Sequence, residues 1–251
     1  MTSSFISSRS APLKATEQNA KASPDFAAKL AETQALLRRA AAEFAPVTQA
    51  SSLGAEDVVI THLINSLQLD IPVFVLETGA LHTETLALLE RTQAHSRTPI
   101  NVFRPVQESV IQFVRDQGQD AMYKSMELRK ACCGVRKMAP LARALKGQKA
   151  WITGLRQEQS AARAEVPLLD ESEVATKGLY KFNPLARWTW GDVWHYIATN
   201  QVDYNPLHDQ FFPSIGCAPC TRAISLGEEF RAGRWWWEDE AAKECGLHVK
   251  K

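Results

Sequence analysis

The apolar positions of the chain switch between two periods. Phe26, Leu30, Leu37, Ala41 and Phe44 recur at helical spacing behind a Ser23-Pro24-Asp25 start, which predicts one helix ending near Phe44, before Pro46. Val47 to Ser51 reads as a short strand. Val58, Val59, Ile60, Leu63, Ile64 and Leu67 return to the helical period. Ile71 to Leu76 is a continuous apolar run of buried-strand type, a helix is expected from about His82 to Ala94, and Ile100 to Phe103 is a third strand. Val110, Ile111, Phe113 and Val114 mark another helix, and Leu141 and Leu145 a further one. Ala150 to Thr153 and Tyr180 to Leu185 complete the strands, and Thr189 caps a helix through Val193, Trp194 and Ile197, whose His195 suits a surface or core position. This alternation predicts an α/β fold: a doubly wound, mostly parallel sheet with helices on both faces.

Three turns fall at strand ends, where open α/β sheets hold ligands. Ser51-Ser52-Leu53-Gly54-Ala55-Glu56-Asp57 joins a strand to a helix, and backbone N–H groups at such a helix start can cradle an anion. The P-loop pattern G-x-x-x-x-G-K-[ST] is absent. Leu76-Glu77-Thr78-Gly79 and Thr153-Gly154-Leu155-Arg156 are the other strand ends, and the polar stretch Gln157 to Arg163 is expected to loop over the sheet edge.

The five cysteines change the picture. Cys132 and Cys133 are adjacent, a geometry poorly suited to bonding each other. Cys217 and Cys220 form a C-x-x-C, which serves a metal or a redox disulfide. Together they suggest a four-thiolate site, with an iron–sulfur cluster, zinc, a disulfide and plain core thiols all open on spacing alone. Cys245 stands apart, followed by Gly246 in a charged segment, as a thiol in an exposed, mobile position.

Composition adds bounds. With 251 residues, 45% hydrophobic and 23% charged, the chain is of ordinary globular type. A formal net charge of +1 gives no support for bulk nucleic-acid binding, and no apolar run is long enough to span a membrane. Residues 1–23, rich in Ser, Ala and Lys, are expected to be a disordered tail without a signal-peptide core, and residues 24–251 a single domain. Reduced cysteines point to the cytoplasm. Homo-oligomer formation is compatible with the sequence and not specified by it.

Five stretches in one order carry a resemblance: Ser52-Leu53-Gly54-Ala55-Glu56-Asp57, Glu77-Thr78-Gly79, Cys132-Cys133-Gly134-Val135-Arg136-Lys137, Ile152-Thr153-Gly154-Leu155-Arg156 through Arg163, and Cys217 to Cys220 with Glu244-Cys245-Gly246-Leu247-His248. Over about residues 40–251 the chain resembles the assimilatory sulfonucleotide reductases, and within them the iron–sulfur branch that acts on adenosine 5′-phosphosulfate (APS). Glu77 stands where that family often has Asp, and Ala161-Ala162 where Pro-Thr is commoner. The resemblance implies an adenine-nucleotide α-hydrolase-like fold and a 4Fe–4S cluster on Cys132, Cys133, Cys217 and Cys220. It implies thioredoxin-dependent reduction of APS to sulfite and AMP, in sulfate assimilation and cysteine biosynthesis. Cys245, on a mobile C-terminal segment of about residues 225–251, would be the nucleophile. Lys137, Arg156, Arg163, Arg231, Arg234 and His248 would meet the anionic groups, since guanidinium forks suit oxyanions. Ser51, Ser52, Leu76, Thr78 and Gly154 would line the adenosine. Two alternatives stand beside this: a reductase of the 3′-phosphorylated substrate (PAPS), and a non-catalytic zinc-binding nucleotide module with Cys245 incidental.

Overall fold

A computed structural model of the protein describes residues 13–238. In chain order it runs α1 (Ala15–Asn19), α2 (Phe26–Glu43), β1 (Val47–Ser51), α3 (Ala55–Ser66), β2 (Val73–Leu76), α4 (Thr83–His95), β3 (Ile100–Phe103) and α5 (Gln107–Gln117). It continues with α6 (Met126–Cys133), α7 (Ala139–Ala144), β4 (Ala150–Ile152), β5 (Leu169–Asp170), α8 (Val174–Lys177), β6 (Tyr180–Phe182) and α9 (Trp190–Asn200). The sheet order is β3-β2-β1-β4-β6-β5, parallel throughout except where β5 runs antiparallel on β6. The doubly wound expectation is therefore met. Winding goes outward from β1 to β3, then returns to place β4 on the free side of β1. That reversal opens a crevice beyond the carboxyl ends of β1 and β4.

Successive strand residues face opposite sides of the sheet, so each strand feeds two cores. Val47, Val75, Ile152 and Phe182 pack with α2, α3, α4 and α9 in one cluster. Phe74 and Trp151 point the other way, against Leu141 and Ala144 of α7. Burial on this scale contributes roughly 1.5–3 kcal/mol for each large apolar side chain.

The tail expected over residues 1–23 is structured over its described part, from residue 13. The short α1 packs on α9, and Ala15 is buried. Its neighbourhood is held by distant acceptors: Ala15 N donates to Asp209 Oδ1 at 2.7 Å and Ser23 N to Asp192 Oδ1 at 2.7 Å. Carboxylates 194 and 169 residues away satisfy backbone donors that composition alone leaves free.

Thr189 caps α9 as its sequence predicts, its hydroxyl accepting from Asp192 N at 3.0 Å. His195 on that helix sits edge-on against Phe26, with ring centroids 4.9 Å apart. It is a packing residue.

Candidate active site

The β1–α3 turn is organised by one carboxylate. Asp57 Oδ2 accepts from Ser52 N at 2.6 Å and from Ser52 Oγ at 2.7 Å, while Ser51 Oγ accepts from Leu53 N at 3.2 Å. Leu53, buried, takes the left-handed conformation with φ 61° to make this turn. The Gly154 backbone lies against the Asp57 carboxylate, which brings the β1 turn and the β4 turn together. A Cβ at Gly154 would lie 2.4 Å from Asp57 Oδ1, so only glycine permits the approach. Burial pushes the Asp57 carboxyl up to about 6, against the Ser52 hydrogen bonds that favour its charged form.

Over these turns lies a cavity of about 210 Å³. Ser51, Ser52, Leu76, Thr78 and Gly154 line it from the strand ends. Lys137, Arg163, Arg231 and Arg234 line it from other segments. Nine of the residues singled out from the sequence thus meet at one site, four of them cations. Ala161 and Ala162 form the short turn that delivers Arg163, whose Nη1 donates to Gln159 Oε1 at 2.7 Å.

Arg156 is the exception. It does not line the cavity. Its Nε donates to Glu56 Oε1 at 2.8 Å and its Nη1 to Glu158 Oε2 at 2.7 Å, and it is fully buried. A guanidinium committed to two carboxylates supports the wall of the site and is not an open anion contact. Glu77 also stays outside the cavity, holding Gly79 N at 2.6 Å and Arg104 Nε at 3.1 Å.

A second cavity, of about 160 Å³, adjoins the first. Cys132, Cys133, Cys217 and Cys220 all line it. The tandem pair ends α6, which the apolar pattern did not reveal; Ser125 caps it, accepting from Leu128 N at 3.2 Å. The chain then widens into one π-helical turn, Gly134–Met138, a feature common at functional sites. That turn places Arg136 on the cysteine cavity and Lys137 on both cavities. Thr78 joins the two as well: its hydroxyl is 3.3 Å from Cys217 Sγ, and its carbonyl accepts from Arg136 Nη1 at 2.7 Å.

The four thiols ring this space. Among the described residues no three His, Cys, Asp or Glu side chains converge as a single-ion site. Burial raises the Cys132 thiol and pushes Cys220 up to about 11, so thiolates here require compensating positive charge. The segment after the C-x-x-C folds back over it: Trp235 N donates to Cys220 O at 3.1 Å. Of the segment 225–251 expected to be mobile, Arg231, Arg234 and Trp235 are buried. The Trp235 ring lies under two guanidiniums, Arg129 at 4.5 Å and Arg234 at 4.9 Å. Cys245 and His248 lie outside the described residues.

Sequence reasoning did not single out Glu56, Asp57, Gln159, His208 and Trp235, which line the same cavity. The acidic pair at the start of α3 was visible within the turn motif. Nothing in the local pattern marked His208.

Comparison with known proteins gives the same frame. The phosphoadenosine phosphosulfate reductase domain matches residues 46–223. The chain is 51% identical over 216 residues to a protein of Allochromatium vinosum named adenosine 5′-phosphosulfate reductase, covering 86% of this chain and 84% of that one. It is 49% identical over 226 residues to the protein of that name from Burkholderia cepacia, covering 90% of each. Among solved structures it resembles a phosphoadenylyl-sulfate reductase from Candida auris, with a TM-score of 0.65 and 26% identity over 76% of this chain and 90% of that one. An FMN adenylyltransferase of Candida glabrata shares the fold alone, with a TM-score of 0.54 at 13% identity over 92% of this chain and 81% of that one.

Proposed function

The chain belongs to the phosphoadenosine phosphosulfate reductase family, and we propose that it is the member that reduces APS to sulfite and AMP in sulfate assimilation, with thioredoxin as the electron donor. The observation that carries this is Lys137: it lines both the cavity walled by Arg163, Arg231 and Arg234 and the one walled by four cysteines. A cation between an anion-binding pocket and a thiolate cage fits the iron–sulfur branch.

The four thiols fit a 4Fe–4S cluster. Their donor set is all sulfur, they ring a cavity, and Arg136 and Lys137 supply positive charge beside it. Bound there, the cluster would crosslink residues 132–133 to 217–220 and add fixed charge next to Lys137.

The remaining steps are the work of the chain's own groups. Lys137, Arg163, Arg231 and Arg234 would hold the phosphate and sulfate oxygens and offset charge on the departing AMP. The turns at Ser52 and Gly154 would seat the adenosine across the strand ends. The Cys245 thiolate would attack the sulfate sulfur. The bond from that sulfur to the bridging oxygen breaks, AMP departs with the oxygen, and Cys245 becomes an S-sulfonate. A thioredoxin thiolate then attacks Cys245 Sγ. Sulfite leaves with the electron pair of the S–S bond, and the second thioredoxin thiol resolves the mixed disulfide. Chemistry that depends on reduced thiols and thioredoxin would suit the cytoplasm. No described helix is long and apolar enough to cross a membrane.

Sulfite and AMP release from APS with reduced thioredoxin tests the reading. Turnover with APS well above that with PAPS is expected, from protein carrying iron with visible thiolate-to-iron absorption. Faster turnover of PAPS, or a colourless zinc protein without sulfite production, overturns it.

A further inference from the structure

Two partners must reach Cys245, and the cavities account only for the nucleotide and the thiolate cage. Thioredoxin has to bring its own thiolate to the same sulfur. The chain limits where it can sit. Glu238 is anchored by its ion pair with Arg129. Cys245 follows seven residues later, so its backbone lies within about 25 Å of that anchor, the span of a fully extended chain of that length.

Beside the anchor the surface carries aromatic rings. Tyr123 is 41% exposed and Trp236 39%, and their rings lie 6.3 Å apart. Trp237 packs against both, 4.5 Å from Tyr123 and 4.8 Å from Trp236. The patch is held from below. Tyr123 Oη donates at 2.6 Å to the carbonyl of Pro219, inside the C-x-x-C. Met122, next to Tyr123, is buried in one cluster with Cys132, Cys217, Cys220 and Trp235.

Large rings left side by side in water have the character of an interface centre, where aromatic residues are enriched and supply most of the binding energy. Three rings also suit a transient redox encounter, whose interface is small, under about 1,200 Å². A lasting dimer of this chain would need a larger apolar face, often above about 2,000 Å². The wall of the nucleotide cavity ends at Trp235, and the aromatic face begins at Trp236.

Resting on the thioredoxin-dependent reading above, we infer that Tyr123, Trp236 and Trp237 form the docking surface for thioredoxin. A partner seated on these rings has Cys245 on a tether fixed at its edge. One short segment thus serves both partners, with Arg231 and Arg234 turned to the nucleotide and Trp236 to the reductant.

The two half-reactions separate docking from chemistry. Forming the S-sulfonate with APS alone needs no thioredoxin. Trp236→Ser, carrying its iron, should form that adduct at the wild-type rate and release sulfite to dithiothreitol at the wild-type rate. Its KM for reduced thioredoxin should rise roughly tenfold. Trp236→Phe, which keeps a ring, should fall between the two. Equal thioredoxin dependence in wild type and Trp236→Ser overturns the inference, as does a loss already present in adduct formation. Wild type that forms no adduct, or keeps it in the presence of thioredoxin, overturns the functional reading and this inference with it.

Should Trp236→Ser not fold, hydroxyl-radical footprinting of the wild-type chain decides. Thioredoxin with its second cysteine replaced by serine stops at the mixed disulfide with Cys245, after sulfite has left with the electron pair. In that complex, oxidation of Tyr123 and Trp236 should fall severalfold relative to the free protein. Protection of the exposed Phe211 or Leu226 instead overturns the inference. So does protection of the rings in the free protein, by residues 239–251 or by a second copy.

Discussion

Arg129 and Glu238 form a two-pronged ion pair, Nε to Oε1 at 2.9 Å and Nη2 to Oε2 at 2.6 Å, with side chains only 1% and 7% exposed. Arg129 belongs to the helix that ends in Cys132 and Cys133, and Glu238 closes the segment that carries Arg231, Arg234 and Trp235. The pair fastens the cysteine helix to the chain leading toward Cys245. Glu238→Ala leaves a buried guanidinium without its carboxylate fork, which typically costs about 3–5 kcal/mol. A clear drop in the denaturant midpoint is expected, and Arg129→Ala should add little to it in the double variant. Independent, additive losses would mean that the pair does not act as one unit.

Cys132→Ser and Cys217→Ser are each expected to lose the bound iron and to lower thermal stability. Ligands from segments 85 residues apart make metal binding part of the folding free energy. Full iron content with an unchanged melting temperature in either variant contradicts the four-cysteine assignment.

Lys137→Ala should keep its iron and lose on the order of a hundredfold or more in sulfite production, the usual cost of removing one preorganised charge. Lys137→Arg should recover part of the rate, since the charge returns with a different shape. Near-normal turnover of Lys137→Ala makes the residue a bystander.

Asp57 predicts a pH signature. Its folded value of about 6 exceeds the ordinary 3.8, so the folded state holds the proton more tightly than the unfolded one. Its contribution is fully favourable below about pH 4, is lost as pH rises through about 6, and then levels off. The span is on the order of 3 kcal/mol for a fully buried group. Unfolding free energies of wild type minus Asp57→Asn, followed from pH 4 to 7, should fall by an amount of that order. A flat difference would show that the carboxyl titrates normally.

Incubation with APS in the absence of thioredoxin should add one sulfite unit to the peptide containing Cys245 and release AMP. Reduced thioredoxin should then remove the adduct. Cys245→Ser should bind AMP, keep its iron and form no adduct. An adduct found by mass spectrometry on another cysteine, or sulfite from the serine variant, overturns the assignment of Cys245 as the nucleophile.

Five of the six strands were legible because parallel strands buried on both faces leave apolar runs, as in Val73 to Leu76, while the two-residue β5 is too short to leave one. The glycines at strand ends were legible too: Gly154 permits a contact that any Cβ would block. Arg156 was misread because a guanidinium after a strand looks like an anion contact until its partner is known. That partner, Glu56, lies 100 residues earlier in the chain. Helix α6 was missed because its eight residues make only about two turns, too short a stretch for an apolar stripe to recur. His208 carries no signal of its own in the local sequence. Its place in the cavity follows from Trp190, Trp194 and, through Asn205, Thr85, three contacts that no local pattern encodes.

The position of β4 beside β1 has a consequence for how the protein comes into being. One wall of the larger cavity is built by residue 51 and another by residue 235, with Gly154 between them in sequence. A chain emerging from the ribosome therefore has no pocket while only its first three strands exist, and it has no complete pocket until the last arginines follow. Nucleotide can act as a ligand for the finished chain and not for a truncated one. Its stabilising effect then falls selectively on intact protein, and unfinished fragments are left to proteolysis.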